Sequence, residues 1–113
     1  MLFRSDSARA EWKLLMAACL TGLADEALRL GVEYAKVRQA FGVTIGWFQA
    51  LSHGLASLAV LVEGTKLLAL NTAWCADEGF ALTPILAGIA FSRAWDTAEA
   101  ATAGSLHYHG GYG

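Results

Sequence analysis

EYAKVRQAFGVTIGWFQALSH, residues 33–53, decides the fold. The stretch begins inside one helical pattern and ends inside another. Between them, residues 39–46 hold Gly42 and Gly46 and the β-branched run Val43, Thr44 and Ile45, which break a helix. This link reads as a turn with a short extended piece. So short a connection folds the chain back on itself, and the flanking helices must run antiparallel.

Upstream, a helix is expected from about Ser7 to Arg38. Ser5, Asp6 and Ser7 offer N-cap oxygens. Leu15, Cys19, Leu20, Leu23, Ala27, Leu30, Tyr34 and Val37 recur at helical spacing. Asp25, Arg29 and Glu33 stand four apart, suited to pairing on the outer face. Gly22 and Gly31 leave room for another backbone. Downstream, a second helix is expected from about Trp47 to Asp77. Leu51, Leu55, Leu58, Leu61, Val62, Leu67, Leu68, Leu70 and Trp74 make it apolar on most faces, the pattern of a buried helix. A third begins at Thr83 as N-cap with Pro84 in the first turn, and stops near His109 at Gly110. The expected fold is all-α: one domain, an up-down antiparallel bundle of three long helices, which a fourth helix would complete.

Composition adds a constraint. Apolar residues make up 56% of the 113 residues and charged residues 16%, against about a quarter in an average globular chain. Another protein surface or a membrane must cover the excess. Residues 39–62 carry no Asp, Glu, Lys or Arg and are long enough for a bilayer. The glycines of AFGVTIGW, with Gln49, Ser52 and His53, argue against a span. A net charge of −2, without a basic run, excludes a nucleic-acid surface. MLFRSDSARAEWK is too charged for a secretion signal. Cys19 and Cys75 have no CxxC spacing and read as free thiols in a reducing cytoplasm.

Several residues invite a chemical reading, and each has a plainer one. Arg38 is either a charge complementing a helix end or a guanidinium fork for a pyrophosphate. Phe41 is either a core aromatic or a ring stacked beside a planar ligand. Gln49 is either solvent-facing or a buried amide needing a partner. His53, four residues on, reads as an ordinary interior or surface histidine. His107 and His109 point to different sides of a helix, with no Cys, Asp or Glu close by in sequence, so no metal site is expected. Gly110, Gly111 and Gly113 allow backbone N–H groups to approach an anion, or merely end a helix. No nucleophile–base set is spaced persuasively. Glu11, beside Trp12, is the carboxylate to watch as a base, although a first-turn helix charge is the plainer account.

Taken together, GLADEALRLGVEYAKVRQAFGVTIGWFQALSHGLASLAV, NTAWCADEG and LHYHGGYG closely resemble the C-terminal helical domain of acyl-CoA dehydrogenases. The family pattern is YAxxRxxFG, then FQAxxHxLA, then a helix ending QLHGGxG. It covers residues 13 to 113, nearly the whole chain. The resemblance implies FAD as cofactor, acyl-CoA as substrate and fatty acid metabolism as setting. It also implies a homo- or hetero-oligomer, as a dimer of dimers. By position, Arg38 and Phe41 contact the flavin nucleotide, Gln49 its adenine end, and Gly110 and Gly111 its pyrophosphate, in a flavin held mainly by a neighbouring subunit. His107 replaces the usual glutamine, and Lys13 an arginine near the acyl-CoA. The usual catalytic glutamate follows the glycine turn, after the point where this chain ends. In a minority of members the base stands where Trp12 is, one residue from Glu11. Two further domains precede this one in the family. The resemblance therefore implies a piece that is inactive alone. A non-catalytic subunit completing a flavin site on a partner is the alternative, and a free-standing membrane or scaffold protein is disfavoured.

Overall fold

The computed structural model describes residues 2–110, with side chains from residue 7 onward. Helix α1 spans Leu2–Val37, α2 Gln49–Glu78 and α3 Thr83–His109. A hairpin of β1 (Gln39–Ala40) and β2 (Val43–Thr44), followed by a 3₁₀ turn at Ile45–Trp47, joins α1 to α2. The antiparallel three-helix bundle expected from that link is the fold.

The link has a specific geometry. Phe41 and Gly42 form the hairpin tip with φ of 55° and 84°, the pair of left-handed conformations a two-residue type I′ turn requires. Glycine adopts this freely; for a bulky residue such as Phe41 it is rare. The ladder pairs Gln39 with Thr44 and Ala40 with Val43. The Ile45 N–H then donates to the Arg38 carbonyl at 2.7 Å, locking the exit of the hairpin to the end of α1.

Three helix ends differ from expectation. The first helix starts at Leu2, so Ser7 is an internal, exposed residue and not a cap. The side chains of Ser5 and Asp6 lie outside the described residues. Trp47 belongs to the 3₁₀ turn, and α2 starts two residues later. Thr83 is the first residue of α3; its hydroxyl donates backward to the Phe80 carbonyl at 2.7 Å, and Leu82 stands at the N-cap without a side-chain bond. The hydroxyl thus closes the α2–α3 link, which opens at Gly79 in the left-handed conformation.

The core is made of small residues. Ala17, Thr21, Ala24 and Ala35 of α1 are buried, facing Ala87, Ala90, Ala94, Thr97, Ala98, Ala101 and Ser105 of α3. Spacings of three and four put each set on one stripe, and their small volume lets α1 and α3 approach closely. In α2, Leu55, Val62, Thr65, Thr72 and Cys75 are buried at similar spacing. Among them, Thr65 donates to the Leu61 carbonyl and accepts from Thr97 at 2.8 Å, a buried bond between α2 and α3.

This corrects the expected core of α1. Leu15, Cys19, Leu23, Leu30 and Val37 are exposed, while Leu20, Ala27 and Tyr34 pack partly against the core. The helix carries two apolar stripes; the alanine-rich one faces α3, because only that one permits close contact. Nor is α2 buried all round, since Leu61, Leu67, Leu70 and Trp74 are exposed. By length and composition α2 could cross a membrane. The outer-face pairing also differs. Arg29 bonds Glu26, Glu33 pairs with Lys36, and Asp25 reaches Lys66 of α2 at 3.3 Å. Arg29 holds the Glu26 carboxyl below its ordinary range, and Asp25, then Glu63, raise Lys66. All these pairs are solvent-exposed and contribute little to stability.

The domain measures 63 × 21 × 15 Å with a radius of gyration of 17.2 Å. A compact chain of this length would have about 13 Å, so the bundle is a slab with large apolar flanks.

Candidate functional site

One end of the slab gathers the C-terminal turn of α1, the hairpin, the first turn of α2 and the last turn of α3. These four pieces enclose an open groove of about 670 Å³. Tyr34 lies in the last turn of α1 and Arg38 directly follows that helix, its N–H donating to the Tyr34 carbonyl at 2.9 Å. Ala40 and Ile45 form the hairpin side, Ala50 and Leu51 the α2 side. His107, Tyr108, His109 and Gly110 come from the end of α3.

The helix ends are set there by identifiable contacts. Ala35, Ile45 and Leu55 form a buried cluster beneath the groove, against which Tyr34, Phe48, Leu51 and Tyr108 pack. Gly110 ends α3 with φ 61°, its N–H donating to the His107 carbonyl, a conformation open to glycine and costly for other residues. His109 Nδ1 lies 2.7 Å from the Ser105 carbonyl, and its ring stacks on Tyr34 with centroids 4.2 Å apart. His107 is exposed and meets only the edge of Tyr108.

Tyr108 fits because Gly54 of α2 has no side chain: a Cβ there would collide with the tyrosine hydroxyl. Gly54→Ala is expected to lower stability by about 1 kcal/mol, the cost of overpacking partly offset by better helix propensity. Tyr108→Phe in the same chain should restore part of it. Thermal denaturation of the single and double variants measures this coupling.

The groove unites four of the residues singled out in sequence, Arg38, His107, His109 and Gly110. Gln49 is exposed and adjoins the lining residue Ala50 without lining the groove itself. Phe41 stands at the hairpin tip, 97% exposed, its nearest aromatic neighbour Phe48 at 6.3 Å edge-on. It is not a core aromatic. Gly111 lies outside the described residues. Lys13 and Glu11 belong to the other end of α1, about 37 Å away along the axis. There Lys13 Nζ lies over Gly88 of α3, 3.9 Å from where a Cβ would stand, while Glu11 is exposed. Trp12 packs on Phe91 at 5.4 Å. Tyr34 and Tyr108 line the groove without having been singled out, and His109 was weighed only as a metal ligand; the i, i+4 relation of Tyr34 to Arg38 was the available signal.

Among the lining residues no carboxylate appears, and among the described residues no group of three metal-ligating side chains occurs. The polar inventory is one guanidinium, two imidazoles, two phenols and a glycine-bearing helix end. Such a set addresses an anion.

The family model described as acyl-CoA dehydrogenase, C-terminal domain, matches residues 10–113. The chain belongs to the acyl-CoA dehydrogenase family. It is 39% identical over 98 residues to the acyl-CoA dehydrogenase IpdE2 of Mycobacterium tuberculosis, covering 87% of this chain and 29% of that relative. Butyryl-CoA dehydrogenase from Megasphaera elsdenii superposes with a TM-score of 0.91 at 32% identity, over 97% of this chain and 29% of the other. A chain from a structural study of the electron transferring flavoprotein of Acidaminococcus fermentans superposes with a TM-score of 0.89 at 32% identity, over 92% of this chain and 27% of that one. The chain therefore spans less than a third of the length of each of these proteins.

Proposed function

We propose that this chain is the C-terminal helical domain of an FAD-dependent acyl-CoA dehydrogenase and supplies cofactor and oligomer contacts rather than the catalytic base. The observation that carries the reading is the groove that brings Arg38, His107 and Gly110 together between three helix ends. Its donor set fits the pyrophosphate of a dinucleotide. Arg38 offers a planar fork for phosphate oxygens. Gly110, at positive φ, leaves its backbone open to an anion, the role the resemblance gives it together with Gly111. Phe41, projecting at the hairpin tip, is suited to lie against a planar group held by another domain, with Gln49 reaching toward the adenine end.

In the parent reaction a base removes the α-proton of the acyl thioester while the β-hydrogen leaves with its electron pair to the flavin, forming the α,β-double bond. What FAD supplies when bound is that hydride acceptance. This chain's own part is to hold and orient. Lys13, remote from the groove, is assigned to the acyl-CoA end. Trp12, which the resemblance sets at the first-helix base position, carries no group that could take a proton; Glu11 beside it is the candidate carboxylate. The large exposed side chains of the slab, such as Trp12, Leu23, Leu67, Trp74 and Trp95, support an oligomer, with a dimer of dimers proposed. The free thiols of Cys19 and Cys75 support a cytoplasmic setting.

The absence of a carboxylate from the described groove favours a second reading, a non-catalytic subunit completing a flavin site on a partner chain. Flavin absorbance of the purified chain, alone and mixed with the proteins encoded beside it, tests both. A yellow complex is expected in at least one pairing, and none in any pairing sinks both readings. Dehydrogenation of acyl-CoA by that complex, with its base on the partner, separates a split enzyme from a non-catalytic scaffold.

A further inference from the structure

Arg38 and Gly110 reach the groove from the ends of different helices. One anion meets both only when the end of α1 and the end of α3 stand at a fixed spacing. The contacts between those ends show where that spacing is set. At Gly31 the two helices are already close, since a Cβ there would stand 3.2 Å from the Ser105 Oγ. One turn further on, a ring pair takes over the contact. His109 stacks on Tyr34 with centroids 4.2 Å and planes 29° apart, and both rings are half-buried. Each ring is tied to the backbone beside it. His109 Nδ1 lies 2.7 Å from the Ser105 carbonyl; a carbonyl only accepts, so this nitrogen donates. The Tyr34 carbonyl accepts the Arg38 N–H at 2.9 Å, and the Arg38 carbonyl accepts the Ile45 N–H at 2.7 Å. The Tyr34 residue is thus one backbone bond from Arg38, and His109 is one residue from Gly110.

On the dinucleotide reading given above, we propose that Tyr34 and His109 are positioning residues, whose stack holds the two helix ends so that Arg38 and the Gly110 backbone meet one diphosphate together. The ring faces perform this task, and the imidazole nitrogens do not touch the ligand. A site arranged before its ligand arrives loses less affinity to ordering. Without the stack, both helix ends stay folded but move independently, and binding must first bring them together.

Equilibrium titration of the flavin-binding assembly with FAD tests this. His109→Ala is expected to weaken binding by about threefold to tenfold, the worth of a stacked pair. His109→Phe keeps a stacking ring without nitrogens and should bind within about twofold of the unaltered chain. In an Arg38→Gln background, His109→Ala should change affinity by less than about twofold, because no fork is left to place. His109→Leu serves where the alanine variant does not fold. Unchanged affinity in His109→Ala, a loss that phenylalanine does not rescue, or equal losses with and without Arg38 overturns the proposal and leaves the flavin reading standing. Equal losses are what a merely structural residue gives. Hydrogen exchange of the ligand-free chain probes the stack without flavin. The Arg38 and Ile45 amides should exchange faster in His109→Ala and regain protection in His109→Phe. Protection unchanged in His109→Ala overturns the proposal whatever the flavin does. Absence of flavin from every pairing removes the flavin reading and this proposal with it, even where protection falls as expected.

Discussion

Replacing Arg38 with Gln should weaken FAD binding by about 10- to 100-fold, the loss expected when a charge-assisted phosphate contact is removed. Arg38→Lys should recover only part of it, because an ammonium restores charge without the planar fork. Equilibrium titration of the flavin-binding assembly, read by flavin fluorescence, measures both. Arg38 is exposed at the end of α1 and lies outside the alanine seam. The dipole interaction of an exposed cation at a helix end is worth about 0.3–1 kcal/mol, and exposed charge pairs add little to it. Thermal stability of the apo chain should therefore barely move while affinity collapses. An affinity unchanged in Arg38→Gln would place the pyrophosphate elsewhere and leave the groove without its main ligand contact.

The link at residues 39–46 was legible because glycine and β-branched residues punctuate helical periodicity whatever surrounds them. That one feature set the direction of two helices, and with Pro84 and Gly110 it fixed the whole topology. The grouping of Arg38, His107 and Gly110 followed from it, since antiparallel helices bring the end of α1 beside the end of α3. Their recognition as cofactor contacts came from resemblance and not from their spacing.

What stayed hidden has a physical reason in each case. Residues Leu15, Leu23, Leu30 and Val37 have the same periodicity as Ala17, Ala24, Gly31 and Ala35, offset around α1. Hydrophobicity favours the leucines for the core; close helix packing selects the alanines. Nothing local reveals that choice, because it depends on the facing alanines of α3. Similarly, His109 and Tyr34 are 75 residues apart, and their stack exists only once α1 and α3 are docked. The Thr83 hydroxyl can accept from an N–H ahead of it, as an N-cap does, or donate to a carbonyl behind it; in the fold it donates to Phe80, and Leu82 takes the N-cap place.

Ala94→Leu is expected to be the most destabilising single change in the bundle. Ala94 is fully buried, in a cluster with Ala17 and Ala90 against Leu20 and Leu68, so residues of all three helices surround it. Three added carbons find no void, and α1 must move away from α3 along the seam. Overpacking of this kind costs about 1–3 kcal/mol even where neighbours can adjust. Here Ala17 and Ala90 are methyl groups that cannot change rotamer, and only Leu20 and Leu68 can yield, so the upper end of that range is expected. Leu67→Gln provides the contrast. Leu67 is more hydrophobic than Ala94 but 62% exposed, and its replacement should shift the folding stability of the isolated chain by no more than about 0.5 kcal/mol. Chemical denaturation of the two variants compares these values directly. If the apolar flank is covered in an oligomer, Leu67→Gln should instead weaken assembly, visible in sedimentation as a shift toward smaller species. The reverse outcome, a tolerated leucine at 94 and a collapse at 67, would mean that the exposed leucines of α2 face the true core and that α2 and α3 are rotated about their axes from the arrangement described.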